Sequence, residues 1–237
     1  MRFVLTSLVA LGLLTAQASA ESVDLELVFA ADGSGSIDDA ESRLQRQGWA
    51  DALTSPDVLT GIKDGPVGAI AVAFMEWGGP SSQVLIVDWH VIRDEASARV
   101  FADKLMSAPR GAYGYNSISN AIDFSVRLVE TNAHEGTRKV IDVSGDGPNM
   151  NGRSLEQARA DALAKGFTIN ALAIRGSGRP GGPGGMSLED YYGQSVIGGP
   201  GSFVEMADEM RPFAVAARRK LLTEIAGMDG ASRHASR

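Results

Sequence analysis

From residue 23 onward, wholly apolar runs take turns with stretches whose apolar residues recur every three or four positions. Residues 23–31 alternate at first and then turn fully apolar, the pattern of a strand entering a core. Asp38 and Asp39 are placed to cap a helix running to Leu53, with Leu44 and Ala52 expected on its inner side. Residues 56–66 read as a loop containing a short apolar turn. Residues 69–77 and 84–92 are predicted strands, and Gly78-Gly79-Pro80-Ser81-Ser82 between them signals a hairpin. A helix is predicted over 94–106, followed by a break over 109–115. The next helix, from about Ser117 to Glu130, carries Ile118, Ala121, Ile122, Ser125 and Val129 on one face.

The second half continues in the same way. Residues 139–144 form a predicted strand, and 145–153 its following loop. Ser154 and Gln157 make a capping box for a helix ending near Lys165-Gly166. Residues 168–174 are another strand, 203–206 a short last one, and about 208–225 a closing helix. The glycine- and proline-rich stretch 175–185 reads as a flexible loop, and 228–237 as a disordered tail. No internal repeat is visible. The order predicts an α/β fold: a doubly wound, mostly parallel six-stranded sheet with one antiparallel edge strand and helices on both faces.

Composition narrows the setting. The first twenty residues have the make-up of a secretory signal, with Arg2, a short apolar stretch over 3–15, and Ala18-Ser19-Ala20 as a cleavage site. That stretch is too short for a membrane span, and no cysteine stands beside it for lipid attachment. The expected organisation is a signal peptide over 1–20, one domain over 21–227 and the tail over 228–237, with no stable membrane insertion after cleavage. The formal charge of −7 argues against nucleic acid as a partner. The absence of cysteine excludes disulfides, thiolate metal sites and cysteine nucleophiles. An exported chain without disulfides points to a periplasmic or secreted bacterial protein.

The chemistry concentrates at Asp32-Gly33-Ser34-Gly35-Ser36, directly after the first apolar run. Glycine lets the chain turn tightly enough for Asp32, Ser34 and Ser36 to converge. Oxygen donors alone suit a hard divalent cation, Mg2+ or Mn2+, better than zinc or copper. In a parallel sheet the loops leaving the carboxyl ends of the strands gather at one edge, where open α/β sheets bind ligands. Ser144-Gly145-Asp146-Gly147 is expected at that edge, as is the amino end of the helix beginning near Asn116 and Ser117.

These residues resemble the von Willebrand factor A domain and its metal-ion-dependent adhesion site. The family pattern is Asp-x-Ser-x-Ser after the first strand, a threonine in a later loop and an aspartate ending the fourth strand. Asp32, Ser34 and Ser36 match the first part, Asp146 matches the last, and the element order agrees over 23–225. The segment 142–149 is similar to exported bacterial A-domain proteins of unknown function. The threonine position falls on Asn116, a departure, with Ser117 one residue away. The resemblance implies that Ser34, Ser36 and Asn116 hold a cation directly, and that Asp32 and Asp146 do so directly or through water. It also implies that a partner protein's Glu or Asp carboxylate completes the shell.

Other residues carry plainer expectations. The DGSGS loop is no EF-hand, since Ile37 and Arg43 stand where glycine and glutamate are needed. Asp142, inside a predicted strand, is expected to accept hydrogen bonds that fix the neighbouring loops. Tyr113, Tyr115 and Trp77 are expected near the metal edge, either as a partner surface or as packing beneath the loops. Glu76 reads as a rim charge or, more commonly for such a position, as a hydrogen-bond acceptor at the edge of the core, and Arg218-Arg219-Lys220 as a solvated basic face. His90, His134 and His234 are too scattered for a catalytic arrangement, and there is no Gly-x-Ser-x-Gly elbow or phosphate loop. The expected function is therefore a non-enzymatic, exported binding module that captures an acidic residue through a cation. The alternatives are a metal-dependent hydrolase and a structural domain with a vestigial site.

Overall fold

Six strands form one sheet in the computed structural model, which describes residues 20–175, 181–209 and 211–232. They are β1 (Glu21–Asp32), β2 (Ile70–Trp77), β3 (Gln83–Ile92), β4 (His134–Gly145), β5 (Thr168–Ile174) and β6 (Val204–Ala207), in the spatial order β3-β2-β1-β4-β5-β6. All neighbours run parallel except β3, which returns antiparallel to β2 at the edge. The chain builds outward from β1 in one direction and from β4 in the other. The carboxyl ends of these two central strands therefore flank the crevice where such sheets take ligands.

Both faces are covered, as the apolar patterns require. Leu25, Leu27 and Phe29 of β1 point to the side packed by Trp49 of α1 (Asp39–Leu53), Val58 and Ile62 of α2 (Pro56–Lys63), and Phe101 of α3 (Glu95–Ser107). Leu221 and Ile225 of α7 (Phe213–Ser232) close that layer. Val28 and Ala30 point the other way, against Ile118 and Ile122 of α4 (Ile118–Glu130). Ala158 of α5 (Leu155–Ala164) and Leu188 of α6 (Leu188–Tyr191) complete that side. Alternate residues of the central strands are thus apolar on both sides, the signature of a doubly covered sheet.

Several sequence expectations are corrected. Residues 56–63 are helical: Pro56 occupies the first turn, where its missing N–H costs nothing, and Val58 and Ile62 face the core together. Leu44 is exposed, because the inner face of α1 runs through Gln45, Arg46 and Trp49 and so includes polar residues. β4 begins at His134, since the polar segment before Lys139 pairs with the start of β1 through Glu21 and Val23. The closing helix starts at Phe213, just after Pro212, and runs to Ser232; the expected tail from Met228 is helical that far, and 233–237 lie outside the described residues. Residues 1–19, most of the expected signal, and 176–180 of the expected flexible loop also lie outside them. After that loop, α6 leads into a π turn over Tyr192–Val196 that the sequence pattern does not reveal. Among the described residues, no helix is long and apolar enough to cross a membrane.

One buried ion pair ties this framework together. Arg46 of α1 and Glu76 of β2 are both buried, and Arg46 Nε and Nη2 donate to Glu76 Oε1 at 2.9 and 2.6 Å. The same guanidinium donates to the carbonyls of Leu105, Ala108 and Pro109, while Glu76 Oε2 accepts from Gly111 N at 2.8 Å. Glu76 is thus the core-edge acceptor expected. Removing one partner of a buried pair leaves the other charge uncompensated, at a cost of about 3–5 kcal/mol. Arg46→Met should lower the urea unfolding midpoint by that much stability. Adding Glu76→Gln should recover part of the loss.

Candidate metal centre

The register of β1 with β4 sets Ala31 opposite Ser144, so Asp32 and the Gly145-Asp146 turn emerge side by side. Asp32 Oδ1 accepts from Ser34 N at 2.8 Å, closing a turn on the residue two ahead, and Oδ2 lies 3.4 Å from Asp146 N. That turn carries the Ser34 and Ser36 hydroxyls to within 3.1 Å of each other, and Ser36 Oγ donates to Asp146 Oδ1 at 2.8 Å. Asp32, Ser34 and Asp146 are buried, and Ser36 sits at the exposed mouth.

Asn116 joins from the side. It is buried, and its amide nitrogen lies 2.7 Å from where a Cβ on Gly147 would stand, so it is packed against the residue following Asp146. Ser117 is directed elsewhere: its hydroxyl bonds Asn120 Oδ1 at 2.7 Å and the Asn151 carbonyl at 3.0 Å. Of the two candidates for the middle position, Asn116 is the one against the site. The five residues singled out from sequence therefore gather at one end of β1 and β4, four in a hydrogen-bonded cluster and Asn116 beside them.

Residues that sequence reasoning missed hold this cluster in place. Arg110 Nη2 donates to the carbonyls of Gly33, Ser34 and Ile37 at 2.9, 3.0 and 2.6 Å, gripping the loop from behind. The segment ahead of α4 is laced to both neighbouring loops through Gly35 N to Gly114 O and Ser117 N to Gly78 O, each 2.8 Å. On the β4 side, Tyr192 donates its hydroxyl to Gly147 O at 3.1 Å, and Tyr191 accepts from Asn149 N at 3.0 Å. A Cβ on Gly145 would stand 2.7 Å from the Tyr192 hydroxyl and 3.1 Å from Asp32 Oδ2, so only glycine fits there. Nothing local in the sequence marks Arg110 or the tyrosine pair, because their partners are backbone atoms far along the chain.

The aromatic residues divide. Trp77 is wholly buried in β2 with its Nε1 bonded to Ala30 O at 2.9 Å, whereas Tyr113 and Tyr115 are 60% and 78% exposed beside the cluster. Trp77 is therefore core, and the two tyrosines are surface.

The electrostatics define what this arrangement lacks. Burial, and then the charge of Asp146, push the Asp32 carboxyl up to about 7, against hydrogen bonds from Ser34 that favour its anion. Burial and the same two carboxylates raise the Tyr192 hydroxyl further, keeping it a neutral donor. Among the described residues there is no cluster of three or more His, Cys, Asp or Glu side chains suited to a metal. The donor set here is instead two carboxylates, two hydroxyls and an amide. The carboxylates and hydroxyls are hard oxygen donors with an unbalanced negative charge, of a kind that fits Mg2+ or Mn2+, while the Asn116 atom nearest Gly147 is its amide nitrogen.

The fold is that of a von Willebrand factor A domain. The pilus adhesin SpaC of Lactobacillus rhamnosus GG superposes with a TM-score of 0.59 at 15% identity, over 90% of this chain and 31% of that one. The von Willebrand domain of the pilus tip protein Mfa5 from Porphyromonas gingivalis gives 0.57 at 11% identity, over 88% and 97%. The mussel byssus protein PTMP1, solved with a zinc-occupied MIDAS motif, gives 0.56 at 15%, over 87% and 46%. This chain thus spans about a third of SpaC and under half of PTMP1. By sequence it belongs to the family described as protein of unknown function DUF1194, whose pattern matches residues 22–229. No protein of curated function matches it.

A raised carboxyl pKa in the folded state means that the native protein binds more protons than the unfolded chain. The Asp32 contribution to stability is then complete below its unfolded value near 4 and lost as pH rises through about 7. In chelator, thermal midpoints of the wild type should fall across that window. Asp32→Asn should flatten the fall and be the more stable protein at pH 8.

Proposed function

We propose that this protein is a non-enzymatic, exported binding module that captures an acidic side chain of a partner protein through Mg2+ or Mn2+. The observation that carries this reading is the convergence of Asp32, Ser34, Ser36 and Asp146, with Asn116 alongside, at the crevice between β1 and β4. Bound there, the cation supplies an electrophilic position that a partner's Glu or Asp oxygen satisfies, since two carboxylates and neutral oxygens leave its preferred six ligands incomplete.

The chain's own residues do the rest. The Asp32 turn and the Arg110 grip hold the two serines in position, and Tyr192 and Tyr191 fix the turn bearing Asp146. Exposed Tyr113, Tyr115 and Met150 surround the mouth and offer a partner large, stiff contact area. Adhesion proteins among the structural relatives agree with a binding role, and their setting outside the cell agrees with the signal-like residues 1–20. A hydrolase is disfavoured by the histidines. His90 lies on β3 bonded to Ser97 O, and His134 begins β4 at the opposite end of the strand from Asp146.

Calorimetric titration in a buffer free of carboxylates is the test. The wild type should bind Mg2+ or Mn2+, and added acetate should tighten that binding by completing the shell. Asp32→Ala and Asp146→Ala should abolish it while circular dichroism stays unchanged. Wild-type affinity in the Asp32→Ala protein, or no binding by the wild type with and without acetate, overturns the reading.

Tyr192 provides a finer prediction. Loss of a group that orients a metal ligand costs about 10–100-fold in affinity, so Tyr192→Phe should bind the cation at least tenfold more weakly without losing the fold.

A further inference from the structure

The face of the sheet under α7 contains a second polar cluster, remote from the mouth of the metal centre. Asp142 of β4 and Asn170 of β5 are register partners, and they alternate with Val140 and Leu172 on the side packed by α7. Lys220 enters from α7 with no solvent exposure at all. This corrects two expectations: Lys220 is no part of a solvated basic face, and Asp142 serves the helix layer instead of the loops. Arg218 and Arg219 do lie outside, paired with Asp57 and Glu205.

The geometry within the cluster is specific. Lys220 Nζ stands 3.0 Å from Asp142 Oδ1 and 2.7 Å from Oε1 of Glu224, one helical turn further on. Asn170 Nδ2 fixes that same Glu224 oxygen at 3.0 Å, and the Phe203 ring covers Nζ at 4.7 Å from its centre. The Lys220–Asp142 contact has ion-pair distance without hydrogen-bond angles. Neither Asp142 oxygen nor Glu224 Oε2 has a hydrogen-bond partner. A purely structural salt bridge repays its desolvation only when such oxygens are satisfied.

An ammonium and two carboxylates in a dry core carry a net negative charge, which one added proton removes. Burial, and then Glu224, push Asp142 up to about 8 against the pull of Lys220, so the proton resides there at neutral pH. Burial opposes the Lys220 charge, but Asp142 and Glu224 outweigh it. Burial in a low dielectric works against every charge in the cluster, and the short bond from Lys220 to Glu224 is a path by which a proton can leave Nζ. Transfer along that path would leave an unprotonated amine 3.0 Å from a carboxyl group that burial favours in its protonated form, with water excluded.

We infer that Lys220 and Asp142 join in an intramolecular isopeptide bond, with Glu224 as the proton carrier. Nζ bonds to Cγ of Asp142, the bond from Cγ to its hydroxyl oxygen breaks, and one proton from Nζ leaves with that hydroxyl as water. Glu224 takes the ammonium proton at the start and retains it at the end. No oxidant or reductant enters. Fixed placement of nucleophile and electrophile replaces the activation that amide formation otherwise needs. The product staples α7 to the middle of β4.

Tryptic peptide mapping of the purified full chain by tandem mass spectrometry tests this. The peptide 140–153 should appear joined to 220–233, uncut after Lys220, and lighter by one water, about 18 Da, than the two separately. Glu224→Gln should give the two peptides unjoined from a protein that still folds by circular dichroism. Separate, unmodified peptides from the wild type overturn the proposal. So does a water loss confined to an Asp-Gly pair such as Asp32-Gly33 or Asp146-Gly147. A joined peptide in Glu224→Gln removes Glu224 from the mechanism.

Discussion

The parallel pairing of β1 with β4 is the constraint from which the rest follows. It brings the carboxyl ends of two central strands to the same level, and so forces Asp32 and Asp146 into one small volume beneath the loops. Two carboxylates there repel each other and are poorly solvated, which is why Asp32 is pushed to about 7. Such a pair is tolerable only with a proton or a cation between its charges. The surrounding structure shows the demand being met in part: hydroxyls from Ser34 and Ser36, a backbone N–H at each carboxylate turn, and glycine wherever a side chain would collide.

Charges buried elsewhere play a different part, since they tie layers to one another. Arg46 of α1 reaches Glu76 of β2, Leu105 near the end of α3, and Ala108 and Pro109 in the segment that leads on to Asn116. Lys220 joins α7 to β4 in the same manner from the opposite end of the layer. The exposed pairs, such as Arg218 with Asp57, contribute little by comparison, because water screens them and long side chains resist being fixed. The polar interior thus marks where elements distant in sequence have to be held in register.

The mostly parallel sheet, its antiparallel edge and the gathering of Asp32, Ser34, Ser36 and Asp146 at one strand end, with Asn116 beside them, were legible in the sequence because each rests on a local pattern. An apolar run ending in Asp-x-Ser-x-Ser announces both a strand end and the direction of its oxygens. The misreadings share a cause. The ordinary preferences of leucine and lysine place Leu44 inside and Lys220 outside, and in each case a partner remote in the chain decides otherwise. Arg46 finds Glu76 and so takes the inner face of α1; Lys220 finds Asp142 and Glu224. The same holds for Arg110 and the Tyr191–Tyr192 pair, whose bonds to loop backbone leave no periodicity to read. The extra length of β4 comes from pairing with β1, which needs no apolar side chains.

Rigidity connects the two polar clusters. Asp142 and Asp146 stand on one strand and its turn, the first fastened to α7 and the second aimed into the crevice. β4 is paired with β1 from His134 to Ser144 and with β5 from Val140 to Gly145, and Lys220 meets it from above, so the position of Asp146 is set before any ligand arrives. The serine hydroxyls are likewise already in place, bonded to each other and to Asp146. To accept a cation they need only turn their protons outward while the oxygens stay where they are. If the proposed cation binds there, little reorganisation is required of these side chains. Under the proposed function, that arrangement suits a site that reserves a position for a carboxylate from outside.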